Sequence, residues 1–389
     1  MIPASGDQVA FPSASARPRA AIRASTARTV TIGERELLFF GGCGYLGLAH
    51  DERVLAALRE ATRRHGTSSG ASRETTGNVV EHEALEREIA EALGLEDALL
   101  LPEGALANLA LGETLRETLP EPPTRVFVDA SAHPTILEAV RLAGASPEPR
   151  AALGAALAER EAGSGPALVW TDGVFPMEGR LADLRGVLDA LDTPGSLLVV
   201  DDCHGLGVLG ARGRGSLEAA GISDPRVIVT GTLSKALGAY GGFVAGAAER
   251  VADVRRCSGL YAGTTPLAPP LAAAARAALA ILVAEPERVE RQRASTRAFR
   301  DRLASIGVPL RPLAFPVAAF ELESAARMQR VHEFALAEGV YLPFVRYAGA
   351  GVNGAFRIVW NAGHTEADLE RLTGVLRRAL DATAAEARR

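Results

Sequence analysis

Six short runs in this chain are apolar at successive interior positions rather than at alternate ones: Ala98 to Leu101, Arg125 to Asp129, Ala167 to Thr171, Ser196 to Asp201, Arg226 to Thr230 and Gly242 to Ala245. A strand with one wet face alternates apolar and polar residues, so runs of this kind need cover on both faces. Segments between and before them carry helical spacing, as Ala84, Leu85, Ile89 and Leu93 do within Val80 to Leu93. Helices are also read over Glu52 to His65, Thr135 to Leu142 and Leu181 to Leu191. Strand alternating with helix predicts an α/β fold, a mainly parallel sheet between helical layers with ligand sites beyond the carboxyl ends of its strands.

The order changes after about residue 266. Long helices are expected over Leu267 to Val283 and Val289 to Ile306, strands over Val317 to Leu322 and Phe356 to Trp360, and a last helix from Thr365 to about Thr383. That pattern predicts a smaller C-terminal α+β domain. Residues 1 to about 34 are rich in Pro, Ser, Ala and Arg without periodicity and read as an extended arm, ending at a strand over Arg35 to Phe40 and the glycine-rich turn Gly41 to Gly47. The division expected is 1–48 for the arm and a piece of the small domain, 49–265 for the large domain and 266–389 for the C-terminal small domain.

At 389 residues the chain can bury a large core, and its net charge of -5 draws it to neither nucleic acid nor an anionic membrane. Cys43, Cys203 and Cys257 are far apart and form no CxxC pair, which argues against a disulfide framework or zinc site and suits a reducing cytoplasm. The N-terminus lacks an apolar core of the kind export needs. The apolar stretch from Pro266 to Glu285 is interrupted by prolines and Arg276, so it reads as a soluble helix.

Of the 42 basic residues, every one except Lys235 is arginine. Arginine stays protonated and makes no amine nucleophile, whereas a lysine amine can lose its proton and condense with a carbonyl. Lys235, in Gly231-Thr-Leu-Ser-Lys-Ala-Leu-Gly238, is therefore read as a Schiff-base lysine. An amine nucleophile in such a sheet suggests pyridoxal phosphate, whose ring nitrogen must stay protonated to accept electrons from a carbanion. Asp201, at the end of a buried strand, is placed under that nitrogen, and His204 donates to the phenolate oxygen. A capping or surface acid is the plainer reading of Asp201. Asp201 and His204 as metal ligands, or Gly205 to Gly210 as a dinucleotide G-x-G-x-x-G, are rival readings; the first lacks a second histidine at ligand spacing, the second an adjacent strand and a following helix. Phosphate needs backbone amides at a helix start plus hydroxyls, which Gly104 and Ala105, with Thr232 and Ser234, supply. His133, after its strand, is placed to stack on the ring.

The order Gly104, His133, Asp172, Asp201-x-x-His204, Thr232-x-x-Lys235 resembles the α-oxoamine synthases, a branch of the fold type I pyridoxal-phosphate enzymes in the class I/II aminotransferase superfamily. Tyr45-Leu-Gly-Leu48, Gly66 to Arg73, His82 to Glu86, Gly173-Val-Phe175, Gly213-Arg-Gly215 and the Lys235 segment look like family motifs in the family's order. The resemblance implies a large domain with a mainly parallel seven-stranded sheet between helices, plus a smaller C-terminal α+β domain. It implies Lys235 as the covalent attachment point, Asp201 at the ring nitrogen, His204 at the phenolate and His133 on the ring. Asp172 joins the cofactor-binding set, with Gly104, Ala105 and Thr232 on the phosphate. Thr264 and Thr265 resemble the segment reaching a neighbouring subunit's phosphate, implying a homodimer with shared sites, and Arg357 matches the arginine that holds a substrate carboxylate. The activity implied is condensation of a small amino acid with an acyl-CoA, or another acyl thioester, with decarboxylation to an aminoketone. An aminotransferase or other amino-acid-transforming enzyme on the same fold, and a non-catalytic pyridoxal-phosphate-binding regulator, use the same residues. The chain departs from the family at four places: Cys43-Gly44 before Tyr45, Ala105 where an aromatic is usual, Asp172 for glutamate and Pro176 for serine.

Overall fold

Seven strands lie side by side in the order Asp97–Leu101, Gly242–Gly246, Val227–Thr232, Leu197–Asp201, Ala167–Asp172, Arg125–Asp129 and Glu148–Arg150. The structure, a computed structural model, describes residues 21–119, 125–160, 165–346 and 350–386. All neighbouring strands run parallel except Gly242–Gly246, which runs against both strands beside it. The sheet is thus the mainly parallel one expected, with a single reversed member whose direction an apolar run does not encode.

The consecutive apolar residues divide between two cores. Leu100, Phe127, Val169, Leu198, Val200 and Val229 face one layer, where they meet Val54, Leu85, Ile89 and Leu279 from the helices Glu52–His65, Val80–Leu93 and Pro269–Ala284. Leu99, Val126, Val128, Trp170, Val199 and Ile228 face the other, against Ala107, Leu111, Ile136 and Val251 from the helices Gly104–Thr118, Pro134–Leu142 and Ala248–Cys257. Each such aliphatic side chain, fully withdrawn from water, stabilises by about 1.5–3 kcal/mol. That burial on both faces is why the strands carry no polar alternation.

A third core gathers Phe40, Phe299, Val331, Ile358, Trp360 and Leu372 between the helices Pro286–Ser305, Ala325–Ala337 and Glu366–Glu386 and two small sheets. One sheet pairs Val317–Phe320, Ala355–Val359 and Phe344–Val345; the other pairs Ile22–Ser25, Thr29–Ile32, Arg35–Phe39 and Val340–Tyr341. The N-terminal sequence joins this C-terminal unit through the parallel pair Val340↔Leu38.

Two expectations need correction. The stretch before residue 34 is not a plain arm where it is described: residues 22–32 form an antiparallel strand pair, turning before Arg35 at Gly33 with φ 61°, while residues 1–20 of the expected arm lie outside the described residues. The helix expected from Leu181 begins at Leu184, because the Asp183 side chain accepts from Gly186 N at 3.0 Å and Arg180–Leu181 is a strand. The helix Pro269–Ala284, which follows the boundary expected at 266, packs on Glu52–His65 and Val80–Leu93. Among the described residues, no single helix is long and apolar enough to cross a membrane.

Candidate active site

Parallel pairing brings the ends of four strands to one edge, and that edge carries the polar residues. Asp201 stands in register with Asp172 on one side and Thr230 on the other. Asp201 is only 5% exposed; its Oδ2 accepts from Asn108 Nδ2 at 2.7 Å and its Oδ1 from Cys203 N at 3.0 Å. Asn108 is itself fixed, donating to Thr135 Oγ1 at 3.1 Å and accepting from Thr230 Oγ1 at 2.6 Å. Its two amide hydrogens and its oxygen are therefore all used, which sets the amide the right way round. Asp172, buried beside Asp201, has its pKa raised by loss of water and then by that neighbouring charge, while His133 N, donating at 2.8 Å, opposes the shift.

The helix Gly104–Thr118 opens at the same edge, with Gly104 and Ala105 on the cavity wall. The reversed strand fits close behind it: a Cβ on Gly242 would meet Glu103 O at 2.2 Å and Gly104 N at 2.5 Å. Facing Gly104 is Thr232, whose Cβ lies 3.0 Å from where a Gly104 Cβ would be. The Thr232 hydroxyl donates to Gly241 O at 3.1 Å and lies 2.8 Å from Ser234 Oγ. Helix amides and two hydroxyls thus gather at one corner.

Lys235 sits in the tight connection between Val227–Thr232 and the reversed strand, and it opens into that cavity. Leu233 N donates to Gly241 O at 2.9 Å, Ala239 N to Leu233 O at 2.9 Å and Gly238 N to Lys235 O at 3.0 Å, so the connection is internally tied. Across the cavity, His204 Nδ1 lies 2.7 Å from the hydroxyl of Tyr45. Burial drives the His204 pKa well below the ordinary histidine value, with the positive charges of Lys235 and Arg357 adding to it; burial likewise raises Tyr45. In the neutral tautomer whose Nδ1 accepts from Tyr45, the His204 hydrogen is on Nε2 and is left for a ligand. His133 caps the helix Pro134–Leu142, its Nδ1 accepting from Thr135 N at 3.3 Å, and its seat in the pocket lowers its pKa.

Arg357 enters from the strand Ala355–Val359, donating from Nη1 to Gly42 O at 2.7 Å, with Nη2 3.3 Å from Cys43 Sγ. The cavity, about 660 Å³, is lined by Gly104, Ala105, His133, Asp172, Asp201, His204, Thr232, Lys235 and Arg357 together. Cys43, Ala105, Asp172 and Pro176, the departures noted in the sequence, all lie on its wall. Thr264 and Thr265 do not: they follow the helix Gly259–Gly263, outside the cavity, with Thr265 exposed. The sequence reading missed Asn108, Thr135 and Met177. An asparagine inside a helix has no spacing signature, and only an unexplained polar residue among the alanines and leucines of residues 104–111 hints at it. Gly205 to Gly210 turns without a following helix until the five-residue Ser216–Ala220, and among the described residues no group of three His, Cys, Asp or Glu side chains is placed to hold a metal ion.

A family model for aminotransferase class I and II matches residues 40–376, which takes in every one of these residues. The chain belongs to the aminotransferase class I and II family. Within it, the chain is 36% identical over 352 residues to the 8-amino-7-oxononanoate synthase of Thioalkalivibrio sulfidiphilus, covering 89% of each. It is 38% identical over 356 residues to that of Methylococcus capsulatus, covering 88% of each. Among solved structures, serine palmitoyltransferase from S. paucimobilis superposes with a TM-score of 0.87 at 25% identity, over 94% of this chain and 93% of that one. The architecture of this family member is that of the fold type I pyridoxal-phosphate transferases, as the sequence resemblance implied.

Proposed function

We propose that this chain is a pyridoxal-phosphate-dependent acyltransferase that condenses a small amino acid with an acyl thioester, releasing carbon dioxide and thiol and forming an aminoketone, in the manner of the 8-amino-7-oxononanoate synthases it is similar to. The observation that carries the reading is that Lys235, His133 and the pair Asp201 and His204, from three separate stretches of the sequence, open into one cavity. The residues fit the cofactor. Two buried acids in register, Asp172 and Asp201, call for a positive partner between them and the cavity. The corner of Gly104, Ala105 and Thr232 offers amides and a hydroxyl where a phosphate needs them. Arg357 stands beside the Tyr45 segment with a guanidinium suited to a carboxylate.

When bound, pyridoxal phosphate supplies an electron sink for the charge left at the amino acid's α carbon. Asp201, oriented by Asn108 and Cys203 N, holds the proton on the ring nitrogen. Lys235 would be the residue that holds the aldehyde, and its free amine would be the base for the α proton. His204, braced by Tyr45, would hold the phenolate oxygen through Nε2, and His133 would cover the ring. Arg357 fixes the carboxylate of the incoming amino acid. The Thr264–Thr265 segment, with Thr265 exposed, is read as reaching a second subunit's phosphate corner, in a homodimer of the cytoplasm. Purified protein should show a visible absorbance band that Lys235→Ala abolishes, and should release thiol from an acyl-CoA with glycine, alanine or serine. A band unchanged in that variant rejects the lysine assignment, and amino transfer to a 2-oxo acid without thiol release rejects the acyltransferase in favour of an aminotransferase.

A further inference from the structure

Two strands of two residues each, Val174–Phe175 and Arg180–Leu181, pair antiparallel next to Asp172. Phe175, Pro176, Met177 and Glu178 line the cavity, so the tip of this hairpin forms one of its walls. A hairpin of this length has no stability of its own in water. Besides the two-pair ladder, its backbone adds Ala182 N donating to Gly173 O and Glu178 N to Phe175 O, both at 3.1 Å. The fixing contact is Arg180. Its Nη1 and Nη2 donate to the two oxygens of Asp129 at 3.0 and 2.9 Å, its Nε donates to Glu178 at 3.0 Å, and its guanidinium lies over the Phe175 ring at 3.8 Å. Asp129 is buried, and its Oδ1 also accepts from Ser131 N at 2.9 Å, in the segment that carries His133. Beyond the tip, Gly179 is seated so close to Arg311 that a Cβ would meet the Arg311 Cβ at 2.4 Å. One carboxylate therefore ties two walls of the cavity, the His133 segment and the hairpin, and the tie is a forked pair whose two bonds fix direction as well as distance.

We propose that Arg180 and Asp129 are positioning residues: they clamp the hairpin 174–181 as a fixed, mainly apolar wall that bounds the substrate space. That this wall faces substrate rests on the functional reading above; the clamp itself does not. The experiment compares wild-type holoprotein with Arg180→Gln, Arg180→Lys, Asp129→Asn and the Arg180→Gln/Asp129→Asn pair by hydrogen exchange and by steady-state kinetics. In Arg180→Gln the amides of Glu178 and Ala182 should exchange about ten-fold faster while those of Leu197–Asp201 are unchanged. The KM of the substrate resting on the wall should rise about ten-fold with kcat within about two-fold. Arg180→Lys, which keeps the charge without the fork, should recover part of both effects and serves as the comparison if Arg180→Gln is insoluble. The double variant should be no worse than the worse single one, since both break the same contact. Unchanged exchange at residues 174–182 in Arg180→Gln overturns the clamp, as does a fall in kcat with both KM values unchanged. Because exchange needs no substrate, a wild-type protein that turns over no acyl thioester sinks the functional reading while leaving the clamp to be judged on exchange alone.

Discussion

The side-chain amide of Asn108, on a helix covering one face of the sheet, donates to Asp201 Oδ2 at 2.7 Å, so the orientation of the acid at the heart of the cavity is set from a different element. Asn108→Leu removes that donor and leaves a buried carboxylate oxygen with one bond fewer, a cost of about 1–3 kcal/mol. We expect the variant to fold with a lowered thermal midpoint and to release cofactor more readily on dialysis. Retention and midpoint equal to the wild type would show that Cys203 N alone suffices to hold Asp201.

Gly242 packs directly behind Glu103 and Gly104, the corner proposed above for phosphate. Gly242→Ala would drive a methyl into the backbone at Glu103 and Gly104, and overpacking of this kind costs about 1–3 kcal/mol. Cofactor affinity should fall with stability, measured by titrating apoprotein with pyridoxal phosphate. Gly246→Ala, on the same strand with its nearest contact at 3.2 Å, should bind the cofactor normally. Equal affinities in the two variants would detach the reversed strand from the phosphate corner.

Arg357→Lys keeps a positive charge and gives up two-pronged recognition of a carboxylate. The amino-acid KM should rise roughly ten- to hundred-fold with the thioester KM and the cofactor band unaltered. A change confined to the thioester KM would place the carboxylate elsewhere.

His364 gives a pH signature outside the cavity. Its Nδ1 accepts from Asn361 N at 3.1 Å, so the proton is on Nε2, which donates to Phe39 O at 3.1 Å. Burial lowers its pKa to about 4, against 6.5 for a free histidine. Between those values the unfolded chain binds the proton and the folded one does not, so this stability is complete above pH 6.5 and drains away as pH falls toward 4, at up to about 1.4 kcal/mol per pH unit. His364→Gln loses the stacking on Phe40 and Trp360 and should be less stable at pH 7. Its unfolding free energy from urea titration should nevertheless fall less steeply over that window, by about one proton's worth of slope. Parallel slopes for the two proteins would refute the assignment.

The central strands were legible because burial on both faces writes itself as consecutive apolar residues, and Lys235 because it is the only lysine among arginines. The helices Glu52–His65 and Val80–Leu93 appear with the bounds their periodicity predicts, one capped by Asp51 and the other stopped at Gly94. Ile22–Ser25 was not legible: all four residues are exposed, so no face pattern is imposed on them. Neither were the two-residue strands that build the cavity wall, which are shorter than any period. The helix Pro269–Ala284 was readable as a helix, but its alanines do not say which core they enter. Asn108 and Asp129 belong to the same class of omission, since their partners at Asp201 and Arg180 are 93 and 51 positions away and only the fold introduces them.

Because Gly242–Gly246 runs backwards, Thr232 and Gly242 face each other across a ladder, and the segment bearing the amine has both feet pinned to the same rung. A crossover helix would have let that segment drift; this one has no slack to lend. If, as proposed above, the amine first holds an aldehyde and then collects a proton, its travel is left to rotation within its own four-carbon stem, a single moving side chain on an anchored base.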